Sequence, residues 1–468
     1  MGTAGVELQA VRNVPDVAPK SSFFDAIRPL AKSASTVSEA LGFYVKQGSA
    51  GNNTSCPRKA ALDLEPEAQR TAETGPQRGS SNLVTALLLL KSTIGGTLII
   101  IPNSFKSAGI LPAAFVLLGV CATEVFCMVL LVQCRQTVGA GAYGDLAELS
   151  MGKFGRLAVD ISMVTSQLGF TCAEMLYMGK NLHGFFEGLE VFRGGSVPTV
   201  ESIIAMQVLF SLPTSWIRRL EYFKWTNAIA NVAVLVALAM ITLGAIAGLA
   251  RDGNGPDVQL HGGNWLLFVG TAVFSFECIN FVLPTYEEHE DKSSFTNVLA
   301  GTLGVVVLVF LAFGVVNYAC YGADTKPSVT LNLPSDSTLG KTVPLIISVC
   351  CLLNVPLFLF PASITIEAKA LAGEMSARTR MWCMNGLRTS LVLVCTLVAI
   401  LGAKQLEAMI AFIGAFCCVP LAYIYPALAH LRLCRPGRLW AAVDVSLVLM
   451  GGVVFVATSA DAIRELRG

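Results

Sequence analysis

The 468-residue chain is 54% hydrophobic and only 14% charged, with a mean hydropathy of +0.63. Soluble domains carry roughly one-quarter charged residues, and a soluble core does not absorb this much apolar surface. The net charge of +1 leaves no basic excess to neutralise a phosphate backbone, which excludes a nucleic-acid binder.

Residues 1–80 are rich in Ala, Ser, Gly, Glu, Lys and Arg, and read as a disordered cytosolic N-terminal tail. They lack the apolar run of a cleaved secretory signal. Asn52 and Asn53 each open a glycosylation sequon, which matters only in a translocated tail. Residues 81–460 read as an eleven-helix membrane domain, and 461–468 as a short non-cytosolic C-terminal tail. The expected spans are 82–106, 111–134, 157–177, 200–216, 226–250, 265–284, 298–318, 343–367, 385–403, 409–431 and 439–458, each about long enough to cross the lipid bilayer. With the tail inside, the inner loops and helix ends hold 14 Lys and Arg against 9 on the other side, which favours a cytosolic N-terminus.

The first span holds Lys91-Ser92-Thr93-Ile94-Gly95-Gly96-Thr97, then Pro102. Adjacent glycines weaken a helix at mid-span, and unwinding bares backbone N–H groups at a half-helix end, where the dipole favours an anion such as a carboxylate. A groove for a neighbouring helix explains the same glycines, and the residues alone leave both readings open. In the second span Glu124 reads first as a structural ion-pair partner, as does Asp444 in the eleventh. The third span carries Glu174, with Thr171 and Tyr177 on the same helical face. In the sixth, Phe274-Ser275-Phe276-Glu277 lies midway and Leu283-Pro284 follows. Glu277 sits too deep to reach the interface, and an ionisable group at that depth is functional unless paired. Pro356 and Pro361 in the eighth span remove backbone donors, so a freed carbonyl beside Ser363 and Thr365 would suit a cation, although a simple kink explains them as well.

Other signals do not support further chemistry. The 14 cysteines lie mostly inside apolar runs without metal-ligand spacing and read as small core residues. Gly340-Lys341-Thr342 lacks the glycine a phosphate loop needs, having Ser335 there. Residues 287–291 read as a solvated charge run. His183, His261, His289 and His430 all fall at helix ends or in loops, and none reads as a buried proton relay. No nucleophile set marks an enzyme, and no cofactor or metal is implied.

With these segments placed, residues 82–458 resemble the amino acid/auxin permease family. The most distinctive match is Tyr321-Gly322-Ala323-Asp324-Thr325 running into Val329-Thr330-Leu331-Asn332-Leu333-Pro334. Further matches are residues 91–102, 274–284, 354–367 with a Pro-Leu-Phe-Leu-Phe-Pro core, and Ile413-Gly414-Ala415-Phe416 through Pro420 to Pro426. Tyr143-Gly144-Asp145-Leu146-Ala147 and Gly179-Lys180-Asn181-Leu182 add weaker ones.

The resemblance implies an all-α polytopic membrane protein with a leucine-transporter-like fold, a 5+5 inverted repeat plus one peripheral helix. The residues independently suggest interrupted helices at spans one and six, the openings of those halves. Carried over, Gly95, Gly96 and Thr97 would meet the carboxylate of an amino acid substrate; Thr93, Thr171, Glu174 and Glu277 are further candidates for the substrate site from the residues themselves. Phe274, Ser275 and Phe276 would face its amino group and side chain, and Ser363 and Thr365 would lie near the coupling ion. Two departures stand out. Lys91-Ser92-Thr93 looks like proton-coupled relatives, where sodium-coupled members tend to have an asparagine. Glu174 stands where members often carry tyrosine, and would hold the coupled proton or pair with a cationic side chain.

The expectation is a proton-coupled secondary transporter of cationic or neutral amino acids, with Glu174 and Glu277 as proton carriers. The plasma membrane is favoured over a vacuolar or lysosomal one. A sodium-coupled neutral amino acid transporter is one alternative. Another is a membrane amino acid sensor that signals to cytosolic partners of the N-terminal tail.

Overall fold

The computed structural model describes residues 80–94, 96–139, 141–189, 196–218, 224–334, 337–371, 373 and 375–467. The expected tail therefore lies outside the described residues except for Ser80, as does Gly95. The regular elements described are helices: α1 Asn82–Thr93, α2 Ile101–Ala108, α3 Ile110–Val138, α4 Tyr143–Glu187, α5 Val200–Met206, α6 Val208–Ser215, α7 Lys224–Asp252 and α8 Trp265–Phe276. After these come α9 Ile279–Glu288, α10 Phe295–Tyr321, α11 Thr338–Ala370, α12 Ala377–Leu401, α13 Leu406–Ile413, α14 Tyr425–Leu433 and α15 Arg438–Arg467. A 3-10 turn, Gly96–Ile100, joins α1 to α2, and two π-helical turns, Gly414–Cys418 and Pro420–Ile424, join α13 to α14.

Helices predominate because a chain in hydrocarbon has to satisfy each backbone N–H and C=O within itself. Among the described residues eight helices have the length and apolarity to cross a bilayer, and α1 with the stretch Thr97–Ala108, bent by 48°, counts as a ninth when the pair is taken as one broken span. Two of the eleven expected spans fall short of that measure. Residues 157–177 form part of α4, whose 45 residues include charged turns on either side. Residues 200–216 are split between two short helices, α5 and α6.

Within α4 the backbone leaves the helical region at Gly152, with φ 75° and ψ −170°. A residue without Cβ takes that positive φ at little cost, so the kink separates the first turns of α4 from its membrane-crossing part. The last helix runs on to Arg467, so residues 461–467, read as a tail in the sequence, are its final turns.

Spans one and six are both interrupted, as the inverted-repeat reading requires. The sixth span, Trp265–Glu288, is 83% buried over its most apolar stretch, whereas Arg438–Arg467 is 17% buried. The broken helix is therefore central and the last helix peripheral. The longest packing seam runs between α4 and α11.

Candidate functional site

α1 stops at Thr93, and Ile94 turns extended at φ −83° and ψ 104°, immediately before the glycine pair. The Thr93 hydroxyl donates back to the Leu89 carbonyl at 3.0 Å, leaving the break free of it. The Thr97 hydroxyl is buried and has no protein partner.

The sixth span breaks between Phe276 and Ile279, where Glu277 has ψ 96° and Cys278 has φ −134°. No glycine or proline stands at that point, so tertiary packing imposes the break where local propensity would not. Phe274 is buried and its ring lies 4.6 Å from Phe170 on α4, which in turn lies 5.4 Å from Phe358 on α11. Ser275 donates to the Thr271 carbonyl at 2.7 Å, and Phe276 stacks on Phe310 of α10 at 5.2 Å. Of the three expected substrate-facing residues, Phe274 faces the α4–α11 seam, Phe276 turns to α10 and Ser275 folds onto its own helix.

Glu174 is 5% exposed on α4 and accepts from Asn354 Nδ2 of α11 at 3.2 Å, while its second oxygen has no partner. Thr171 donates to the Gln167 carbonyl, one turn back on the same helix, at 2.9 Å, and the buried Tyr177 hydroxyl is unpartnered. Glu277 is 7% exposed, with Asn280 Nδ2 at 3.4 Å from Oε1 and nothing on Oε2.

The two acids are not neighbours. Glu174 lies one turn beyond Phe170 on α4, and Glu277 just beyond Phe274 on α8.

α11 is continuous through both prolines, and Ser363 and Thr365 donate back to the Leu359 and Pro361 carbonyls at 2.8 and 3.0 Å. Such back-bonding satisfies the hydroxyl hydrogens within the helix. Among the described residues no group of three or more His, Cys, Asp or Glu is placed to hold a metal.

Two histidines are more deeply placed than their positions at helix ends suggested. His289 is 2% exposed and bonded to Thr85 and Ser294 at 2.7 and 3.0 Å, so the expected solvated run 287–291 is partly interior. His430, 6% exposed, pairs through Nδ1 with Asp444 at 2.8 Å. Asp444 thus has a hydrogen-bonded histidine partner, whereas neither oxygen of the buried Glu124 meets a hydrogen-bonding group.

Sequence reasoning did not single out Asn354, Phe170, Phe358 or Tyr423. An amide inside an apolar run was the available signal for Asn354. The rings look like any core aromatic until the helices are packed.

Residues 78–464 match the model of a family described as transmembrane amino acid transporter protein. The chain is 31% identical over 413 residues to Vacuolar amino acid transporter 3 of Saccharomyces cerevisiae, covering 86% of this chain and 60% of that protein. It is 28% identical to Vacuolar amino acid transporter 3 of Schizosaccharomyces pombe, covering 81% and 58%. To Amino acid transporter AVT3B of Arabidopsis thaliana it is 28% identical, covering 83% and 94%. The chain thus spans about six-tenths of the length of the two yeast relatives.

In fold it is similar to the inward-facing conformation of Mhp1, with a TM-score of 0.56 at 14% identity over 84% of this chain and 91% of that one. It is also similar to MhsT in complex with L-phenylalanine, with a TM-score of 0.53 at 14% identity over 83% and 100%. Both likenesses concern the leucine-transporter-like fold. With the family model spanning most of its length, the chain belongs to the transmembrane amino acid transporter protein family.

Proposed function

We propose that this chain carries amino acids across a membrane by alternating access, coupled to protons. The observation that carries the reading is the pair of broken helices at the core of a member of this family. Half-helix ends bare N–H groups that suit a carboxylate. In this reading Gly95, Gly96 and Thr97 would supply them, with the unpartnered Thr97 hydroxyl as a further donor.

Phe274, Phe170 and Phe358 offer an apolar wall to the substrate side chain, which favours neutral over cationic amino acids. The L-phenylalanine in the MhsT structure is consistent with a wall of this kind. Proton coupling rests on Glu174 and Glu277, each with an oxygen left without a protein partner. Ser363 and Thr365 remain the hydroxyls assigned to the coupling-ion region.

The names of the yeast relatives support a vacuolar membrane in place of the plasma membrane. With the N-terminus cytosolic, a proton gradient from an acidic lumen would drive amino acids outward into the cytosol.

Thermal unfolding of the purified protein against a panel of amino acids tests the substrate reading. Neutral apolar amino acids should raise the unfolding temperature in a concentration-dependent way. Stabilisation by arginine or lysine alone would contradict it and reassign Glu174 to the substrate side chain.

A further inference from the structure

The cysteines read from the sequence as small core residues, and Cys434 departs from that reading. It caps the end of α14 and is partly exposed, and its sulfur lies 4.0 Å from that of Cys134 on α3, which is 0% exposed. The Thr137 hydroxyl, one turn along α3, lies 3.4 Å from the Cys434 sulfur. Two thiols from separate helices thus meet where water reaches one of them.

The surroundings favour reaction at Cys434. The Cys134 thiol, and after it the Thr137 hydroxyl, supply hydrogen bonds to a Cys434 thiolate and hold this group below the ordinary thiol range, against the cost of its partial burial. His430, one turn back on α14, acts in the same direction, and Asp444, bonded to His430 at 2.8 Å, opposes it. Cys434 also lies where the backbone gives most easily. α14 ends at Leu433, the Cys434 N–H returns to the His430 carbonyl at 3.0 Å, and residues 435–437 lead directly into α15. Helix ends fray where interiors do not. Closing the sulfurs from 4.0 Å to a bonded separation of about 2.05 Å therefore takes torsion at Cys434 and leaves α3 in place.

We propose that Cys134 and Cys434 are a reversible redox pair, whose oxidation to a disulfide by a peroxide fastens α3 to α14 and arrests transport. The arrest rests on the transport reading, whereas the disulfide does not. The Cys434 thiolate attacks a peroxide oxygen, the O–O bond breaks, and Cys434 becomes a sulfenic acid as hydroxide departs. The Cys134 thiol then attacks the sulfenic sulfur, the S–O bond breaks, and water leaves as the S–S bond forms. Two electrons pass from the thiols to the peroxide, and the two thiol protons complete two molecules of water. A small dithiol reverses the bond by exchange.

The cross-link joins two groups of helices at one face of the molecule. α3 holds α9, the C-terminal half of the sixth span, through Arg135 to Glu287 at 2.6 Å and Gln136 to the Tyr286 hydroxyl at 3.3 Å. α14 holds the first turns of α4 through Arg432, which donates to the Ser150 carbonyl at 3.0 Å. A covalent bond between Cys134 and Cys434 removes relative motion of the two groups where a broken span has to shift against its neighbours. The same end of α9 meets Ser80, whose N–H donates to the Glu288 carbonyl at 2.7 Å. With the N-terminus cytosolic, the pair therefore faces the cytosol, where thiols are kept reduced and a disulfide is transient and redox-sensing.

The test uses the full chain in proteoliposomes, reduced with dithiothreitol and then exposed to hydrogen peroxide. Disulfide-linked peptides are mapped by mass spectrometry, and uptake of radiolabelled alanine, phenylalanine and arginine under an inward proton gradient is measured on the same samples. A peptide linking Cys134 to Cys434 should appear, and uptake should be lost in proportion to the linked fraction and return with dithiothreitol. Cys434→Ser should transport as the unmodified protein does and keep its uptake under peroxide, and Cys134→Ala should trap Cys434 as a sulfenic acid that a dimedone probe labels. If either variant does not fold, the linked peptide and its reversal in the unmodified protein decide the matter. Absence of that peptide, or a loss of uptake that persists in Cys434→Ser, overturns the pair, and fully linked protein with undiminished uptake overturns the arrest. Reduced protein that accumulates none of the three amino acids overturns the transport reading and the arrest with it, while the linked peptide still decides the pair.

Discussion

Arg388 grips Glu367 with both arms of its guanidinium, Nε to Oε1 at 2.6 Å and Nη2 to Oε2 at 3.1 Å, with side chains 2% and 8% exposed. Its Nη1 donates to the Ser215 and Ile217 carbonyls at 2.9 Å each, so one buried cation ties the end of α6 to α11 and α12. Glu367 lies in the region matched to the family by sequence, but Arg388 read there only as one more positive charge near an inner face.

Removing one partner of such a pair strands the other charge, at a typical cost of about 3–5 kcal/mol. Arg388→Ala should therefore lower the unfolding temperature sharply. Arg388→Lys should rescue little, because an ammonium cannot reproduce the fork. Arg388→Met combined with Glu367→Leu should recover much of the loss. Thermal unfolding of the purified variants checks this, and a harmless Arg388→Ala would show that the pair does not hold these helices together.

Gly270 on α8 and Gly414 at the end of α13 touch backbone to backbone. A Cβ on Gly414 would lie 2.0 Å from the Gly270 carbonyl oxygen, and one on Gly270 would lie 2.3 Å from that of Ala411. Neither obstacle is a flexible side chain, so Gly414→Ala has to push the broken sixth span away from its neighbour. Overpacking of this kind costs about 1–3 kcal/mol, and displacement of the α8 half-helix should also depress uptake. Unfolding and transport measured on the same preparation check it, and normal values of both would mean the helices separate freely.

Glu174→Gln keeps the shape and the Asn354 contact while removing the titratable proton. Uphill accumulation should drop by about tenfold or more, while recognition of neutral amino acids, read by ligand-dependent unfolding, should persist. Undiminished accumulation in this variant would remove Glu174 from the proton path.

Much of the fold was legible because bilayer crossing imposes length and apolarity on each span, and because Gly95-Gly96 weakens a helix in a way visible from composition alone. The interruption after Phe276 was legible only as a region, since tertiary packing at Glu277 and Cys278 sets its position. The partner of a buried acid was not legible. Glu124 and Asp444 look alike in sequence, each a single carboxyl in an apolar run, yet packing gives Asp444 a histidine and leaves both oxygens of Glu124 without a hydrogen-bonding group. The Phe170, Phe274 and Phe358 contact likewise joins helices far apart in the chain.

The most direct test of the central claim is uptake of radiolabelled alanine and arginine, separately, into proteoliposomes holding the purified full chain, with sodium absent and an inward proton gradient imposed or collapsed. The account predicts accumulation of alanine above the external concentration with the gradient and its loss when the gradient is collapsed, with arginine accumulated less. Absence of accumulation of either, unrescued by sodium, would contradict it and return weight to a membrane sensor.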